Sequence, residues 1–378
     1  MRHRAHSFLE GWAGAGCDYR GTGRGPEGAP CVIIVAPDIE TEGSESPMTS
    51  TRRTLPEDLQ ESAPAAPISL SRAGVTRSAK SIRIRHDGAE RLFHAEVACF
   101  CDLNPSQKGV HMSRFEEEVN EAIDDVVIGE ALIIEALAER IAAKLVASQR
   151  ALRSEVTIRA SYPVEKRTPV TGIPTQEMYG LIGIAAANIE TSRRVVGVTA
   201  QGMNACPCAQ GLISARASEA LRADGFPPED IARILRLVPV ATHNQRARGT
   251  LLLGAPGDVE VDADELIAIV EDGMSSEIYE LLKRPDEQYV VDRAHRRPRF
   301  VEDSVREMVR GTLERFPELP GDAFVHAHQV NFETIHTHDV EAERAGTIAE
   351  IRRELDDGEH VAHHTTLREW LDGRVPRP

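Results

Sequence analysis

Six stretches of the chain carry residue types able to do chemistry together. Gly202-Met203-Asn204-Ala205-Cys206-Pro207-Cys208 sets two thiols close together on a chain stiffened by proline, and Thr242-His243-Asn244-Gln245-Arg246 brings an imidazole 37 residues after Cys206. With a carboxylate brought near by the fold, such a set can hold a divalent metal; catalytic sites use three protein ligands and leave one position for water. The spacing is not a standard zinc spacing, and Cys206 and Cys208 as small core residues is the plain alternative. Glu287 lies in Lys283-Arg284-Pro285-Asp286-Glu287-Gln288-Tyr289, where clustered charges after a helix ordinarily form a solvated face. Glu302 precedes Val305 and Val309 by three and seven residues, so it shares or borders a buried helical stripe. A carboxylate there needs a partner, such as a ligand with paired N–H donors, unless it reaches solvent at the edge.

Near the end, Glu333-Thr334-Ile335-His336-Thr337-His338 follows His326 and His328. A Glu and a His three apart at a strand end can form an acid/base pair, although alternating histidines also decorate surfaces. Lys108-Gly109-Val110-His111-Met112-Ser113-Arg114-Phe115 leads from loop into helix. Backbone N–H groups there, with Lys108 and Arg114, suit a phosphate; a Ser cap accounts for the same residues. Cys99 and Cys101 are expected to point into a sheet and carry no assigned role.

Hydrophobic periodicity supplies the elements that must position these groups. Ser81–Arg85 alternates, with Ile82 and Ile84 on one face; Asp87-Gly88 marks a turn, and Leu92–Leu103 continues as a strand. A helix opens near Ser113, and a second carries Ile134, Leu137, Ile141 and Leu145 at helical spacing. Val156–Tyr162 and Met178–Ile189 read as a further strand pair, giving ββααββ. The order repeats with strands at Arg194–Val198 and Gly249–Gly254, a helix from Asp262 to about Lys283 with Asp262 and Glu265 as a capping box, and another over Val301–Phe316. Strands near Ala323–Thr334 and Val340–Ile348 close it. The first two strands of this repeat are more than forty residues apart, a length that points to a functional insertion.

Composition bounds what these elements can serve. The chain has 378 residues, 41% hydrophobic and 28% charged, with 44 Lys and Arg against 60 Asp and Glu for a formal charge of −16. That balance argues against nucleic-acid or membrane surfaces as partners, since phosphate backbones demand a basic face. Six cysteines in so long a chain make no disulfide scaffold, and a reduced, cytoplasmic protein is the expectation. Residues 1–70, rich in Gly, Pro, Ser and Thr, read as a disordered leader within which Met48 is a candidate start. Residues 71–190 and 191–357 read as the two units, the second carrying the metal site, and 358–378 as a peripheral tail.

KGVHMSRF, GMNACPC, THNQR, LLKRPDEQYV, FVEDSVREMV and NFETIHTH occur in this order between about Leu59 and Ile348, and the set resembles the GTP cyclohydrolases of bacterial type IB and archaeal type IV. The resemblance implies an α+β tunnelling fold (T-fold) of two tandem ββααββ units with antiparallel sheets, assembled as a homotetramer. It implies Cys206, His243 and Glu287 as ligands of one divalent metal, Fe(II), Zn(II) or Mn(II). It implies Glu302 as the guanine anchor, His111 and Arg114 as pocket residues without a defined role, and Glu333 with His336 as the acid/base group. Cys206, Glu333 and His336 are thus the expected catalytic set. The implied reaction on GTP is attack of water at guanine C8 with loss of formate. HMSRF and Asp58-Leu59-Gln60 incline the expectation to the bacterial product, 7,8-dihydroneopterin triphosphate, for folate-type pterin synthesis. The long step from Cys206 to His243 favours the archaeal product, the 2′,3′-cyclic phosphate. Two other readings stand behind these: an NADPH-dependent nitrile reductase of the same fold with Cys206 as nucleophile, and a purine- or metal-binding protein without turnover.

Overall fold

The computed structural model describes residues 59–86, 89–127, 133–257, 259, 261–359 and 362–374. The expected Asp87-Gly88 turn, Met48 and most of the expected leader lie outside these residues. In chain order the first elements are β1 (Leu70–His86), β2 (Ala89–Leu103), α1 (Met112–Val127), α2 (Ile134–Gln149), β3 (Arg153–Arg167) and β4 (Pro174–Asn188). Then come β5 (Ser192–Ala205), α3 (Pro207–Ala223), α4 (Pro228–Leu237), β6 (Asn244–Gly254), α5 (Ala263–Gly273) and β7 (Ser276–Glu277). The chain finishes with α6 (Arg284–Arg296), α7 (Val301–Arg315), β8 (Phe324–Asn331), β9 (Val340–Thr347), α8 (Ile348–Asp357) and α9 (Leu367–Leu371).

The expected tunnelling fold of two tandem ββααββ units with antiparallel sheets requires correction. The nine strands among the described residues form one antiparallel sheet, ordered β1-β2-β3-β4-β5-β6-β8-β9, with β7 paired to β5. The halves merge at β4 and β5, paired from Gly180↔Thr199 to Ala187↔Ser192. Asn188 closes the turn between them, its Oδ1 accepting the N–H groups of Glu190 and Thr191 at 2.8 Å each, so the two strands meet as a tight hairpin. The second half also departs from the repeat: α3 and α4 stand between β5 and β6, and β7 and α6 between α5 and α7.

Alternation decides which side of the sheet the helices cover. Val97, Cys99, Val156, Ile158, Val198 and Leu251 point to one face and form one core with α1, α2, α5 and α7. Gly183 lets α2 approach closely: a Cβ there would stand 2.7 Å from the Ile134 carbonyl. The opposite face holds a smaller cluster of Ile182, Ile184, Val195, Leu252 and Phe324, covered by Trp370 and Leu371. The C-terminal segment, read as peripheral, therefore returns to the sheet through α9. Trp370 is inaccessible, stacks on Phe324, and its Nε1 donates to the Asp322 carbonyl at 2.8 Å.

The helix expected from Asp262 to Lys283 is shorter. Asp262 caps it, its Oδ1 accepting the Asp264 N–H at 2.9 Å, but α5 ends at Gly273. Ser276 and Glu277 then pair with Met203 and Gly202 of β5, and Pro285 opens α6. No helix among the described residues is long and apolar enough to cross a membrane.

Candidate functional site

The ends of β5, β6 and β8 meet at one end of the sheet, and polar contacts lock them together. Asn204 is fully buried; its Nδ2 donates to Ser304 Oγ at 2.9 Å and its Oδ1 accepts the Ser275 N–H at 3.3 Å. Ser275 Oγ in turn accepts the Ala205 N–H at 3.1 Å, and the Arg299 N–H donates to the Ala205 carbonyl at 3.0 Å. The chain just before Cys206 is thus tied to both the α5–β7 junction and the start of α7.

Cys206 is the cap residue of α3, with Pro207 opening the helix. Its N–H donates to the His243 carbonyl at 3.1 Å, and Thr242 Oγ1 donates to its carbonyl at 2.8 Å. The insertion therefore leaves and returns at adjacent points, which brings Cys206 beside His243 despite their separation in sequence. Between them α3 and α4 form a helical excursion; α3 buries none of its residues. Cys206 is half-buried and Cys208, on the first turn of α3, is exposed. In contrast, burial pushes the Cys99 and Cys101 thiols up to about 12, which agrees with their inward, chemically silent placement.

His243 meets Glu333 across the strand ends. The Nδ1 to Oε2 distance is 3.8 Å, too long for a hydrogen bond. Gln245 Nε2 donates to the other oxygen, Glu333 Oε1, at 3.0 Å. Glu333 itself is placed by the ladder beyond β8: Phe332 N–H donates to the Arg246 carbonyl, and the Glu333 N–H to Asp339 Oδ1 at 3.2 Å. His243 Nδ1, Gln245 Oε1 and Glu333 Oε2 are buried without a hydrogen-bond partner among the described residues. Gln245 received no role from its motif. The alternation that sends Gln245, Ala247, Gly249 and Leu251 inward along β6 is the signal that marks it.

The other expected residues are placed apart from this group. Glu302 is exposed on the first turn of α7, where it lines a cavity of about 410 Å³ with Val305, Val309, Ala342, Arg344 and Ile351. Its helix starts at the site, because Arg299 and Ser304 bind Ala205 and Asn204. His336 is exposed, its ring stacked on His338 at 5.1 Å between centroids. Glu287 is exposed on the first turn of α6 beside the fully buried Asp286. Asp286 binds the β3–β4 turn, accepting from the Val170 and Thr171 N–H groups at 2.9 Å and from Thr171 Oγ1 at 2.7 Å. Burial pushes its carboxyl up, but these donors and the Lys283 N–H outweigh it and hold the group well below the usual carboxylate range. The far end of α6 is the part near Cys206: Gln210 Nε2 of α3 donates to the His295 carbonyl at 2.6 Å. Glu287 lies eight residues before His295, about 12 Å along the helix.

His111 and Arg114 stand at the opposite end of the sheet. Gln149 clamps the His111 backbone through two hydrogen bonds, and Arg114 Nη1 donates to the Ser148 carbonyl at 3.1 Å. Strands of fifteen residues such as β3 span about 50 Å, so one chain does not bring these two residues to Cys206.

Among the described residues no three His, Cys, Asp or Glu side chains gather closely enough to hold a metal ion. Two donors of suitable chemistry, Cys206 and His243, are nevertheless adjacent, with an unpartnered imidazole nitrogen and carboxylate oxygen beside them. That set fits a divalent ion on two protein donors, with a carboxylate to complete it.

Comparison with known proteins adds a family. The model of type I GTP cyclohydrolase folE2 matches residues 57–342. GTP cyclohydrolase MptA of Methanococcus aeolicus is 40% identical over 305 residues, which cover 79% of this chain and 99% of that protein. Its namesake from Methanocaldococcus jannaschii is 37% identical over 305 residues, covering 79% and 97%. Among solved structures, uricase from Arthrobacter globiformis overlaps 77% of this chain and 96% of its own at 10% identity, with a TM-score of 0.43. An overlap that loose says nothing about chemistry.

Proposed function

The chain belongs to the type I GTP cyclohydrolase folE2 family of enzymes, and we propose that it opens the imidazole ring of GTP by metal-dependent hydrolysis at C8. The observation that carries this reading is the meeting of Cys206, His243 and Glu333 at one end of the sheet. Cys206 and His243 are the proposed donors to one Fe(II), Zn(II) or Mn(II). The third position falls to Glu287, and metal analysis of Glu287→Ala tests it. When bound, such an ion lowers the pKa of water to about 7.

The chain's own groups then have distinct tasks. Glu302 accepts the guanine N1–H and N2–H. Glu333, buried and with one oxygen unpartnered, takes the proton released as water adds to C8 and returns it to ring nitrogen N7; His336 exchanges that proton with solvent. Formate leaves with C8. His111 and Arg114 lie a strand length away, so a pocket that uses them together with Cys206 needs a second copy of the chain, in keeping with the proposed homotetramer. A reduced, cytoplasmic setting suits a thiolate donor.

The product preferred from HMSRF, the triphosphate, is the weaker choice. The compared relatives are MptA proteins of methanogens, and the insertion between Cys206 and His243 is a full helical excursion, α3 and α4. Both favour the archaeal-type product, 7,8-dihydroneopterin 2′,3′-cyclic phosphate, in pterin synthesis. Anaerobic incubation with GTP and each metal in turn, with mass spectrometry of the pterin and assays of formate and pyrophosphate, tests the reading. Cyclic phosphate with stoichiometric pyrophosphate is expected; a triphosphate pterin overturns the product, and absence of formate overturns the function.

A further inference from the structure

Gln245 is 5% exposed on the helix-covered face of β6, where its neighbours in alternation, Ala247, Gly249 and Leu251, are small or apolar. A polar side chain buried among such residues destabilises the fold for each group left unpaired, so its hydrogen bonds must be accounted for. The amide of Gln245 faces Glu333 Oε1 at 3.0 Å. The Gln245 NH2 is the donor in that hydrogen bond, so its Oε1 is left as a fixed acceptor. That oxygen has no partner among the described residues, and neither does Glu333 Oε2 on the other side of the same hydrogen bond. Two buried acceptors on a directly bonded pair call for a small molecule with two donor hydrogens.

We propose that Gln245 binds the hydrolytic water: Gln245 Oε1 and Glu333 Oε2 accept its two hydrogens and leave the oxygen lone pair free to attack C8. This rests on the reading of the chain as a hydrolase acting on GTP with Glu333 as proton carrier. In the step, the water oxygen bonds to C8 while its O–H bond toward Glu333 breaks and that proton moves to Oε2; the C8–N7 π pair moves onto N7, which takes the proton back from Glu333. The remaining O–H stays hydrogen-bonded to Gln245, which gains and loses no proton. When the C8–N9 bond then breaks, its electron pair goes to N9, the C8 hydroxyl gives up its proton through Glu333 to N9 and becomes the formyl carbonyl, and a second water cleaves the formamide to release formate. Gln245 thus acts on the attacking water and not on the resting guanine, so its loss should lower rate without lowering affinity.

The test uses the full-length chain as wild type, Gln245→Met and Gln245→Glu, purified anaerobically. Metal content, melting temperature, GTP affinity of the chelator-treated proteins and single-turnover formate release with restored metal are measured on each. Gln245→Met is expected to keep metal content and to bind GTP within about threefold of wild type, while the rate falls about 10²-fold, the cost of a misplaced reactant. Gln245→Glu has no NH2 to give Glu333 and sets a second acceptor against it, so it is expected to be at least as slow as Gln245→Met. A Gln245→Met rate within threefold of wild type overturns the proposal, as does a rate loss matched by an equal loss of metal or GTP affinity. If Gln245→Met does not fold, the proposal falls when Gln245→Glu keeps a rate within threefold of wild type. Wild-type protein that releases no formate overturns the hydrolase reading itself; competent wild type beside competent Gln245→Met overturns only the role of Gln245.

Discussion

Beneath α2, the helix-facing side of β2 and β3 carries Val97, Cys99, Val156 and Ile158, all apolar and inaccessible; the same side of β5, β6 and β8 carries Asn204, Gln245, Gln329 and Asn331 toward one end. The first row needs no partners, and its thiols stay protonated because burial disfavours the charged form. In the second row every amide must be answered. Asn204 is answered by Ser275 and Ser304, and Gln329 Nε2 by Asn331 Oδ1 at 2.9 Å. Gln245, like Gln329, is answered only on its nitrogen, but its partner is Glu333, whose second oxygen is also without a partner among the described residues. Where a continuous sheet changes from apolar to amide-bearing on its buried face, it stops serving the core and starts serving the site.

Mutations on the two sides should separate sharply. Cys206→Ala and His243→Ala are each expected to lose bound metal and all turnover while the fold persists, as measured by metal analysis and circular dichroism. Full activity in a demonstrably metal-free protein would sink the metal mechanism. His336→Ala should keep metal and GTP binding and lose rate by roughly 10²–10⁴-fold, the worth of a proton-transfer group. Unchanged single-turnover rates would remove it from the acid/base set.

On the apolar side, Ile158→Ala should cost about 2–5 kcal/mol of stability in urea unfolding, with metal content per folded protein unchanged. Loss of metal there would mean that the two regions are coupled. Glu302→Gln sets an NH2 against a guanine donor and should weaken GTP binding on the order of 1–3 kcal/mol; equal affinity by calorimetry would free Glu302 from that role.

The smallest effect is expected at Asp286. Its carboxyl is held below the ordinary value, so folding favours the ionised form. The stabilisation is complete above the unfolded value near 3.9 and is lost progressively as pH falls below it. Asp286→Asn should therefore be less stable than wild type at neutral pH and lose part of wild type's acid sensitivity. Parallel unfolding curves from pH 7 to pH 3 would show that the anchor of α6 contributes nothing.

Much of the secondary structure was legible because it rests on local spacing. The strands from Val156, Arg194 and Gly249, the helix with Ile134, Leu137, Ile141 and Leu145, and the inward Cys99 and Cys101 all follow from which side chains leave water together. The end of α5 was not legible, since Gly273 alone does not stop a helix; the pairing of Ser276 and Glu277 with β5 does. Glu302 bordering a buried stripe was also legible, and it lies on α7 next to the buried Val301, Ser304 and Val305. Gln245 was overlooked because a lone amide in a strand carries no signal until its face is known to be buried.

By itself the sequence determined the elements, the family motifs and the candidate donors Cys206, His243 and Glu287, because residue type and periodicity act over a few neighbours. Only the tertiary structure decided that nine strands form one sheet and that Cys206 lies beside His243. It alone put Glu287 about 12 Å along α6 from the His295 carbonyl that Gln210 binds, and His111 at the far end of strands about 50 Å long. Strand pairing and close approach depend on which unsatisfied edges and polar groups meet across the chain, and a backbone N–H reads the same in sequence whichever carbonyl it finally binds.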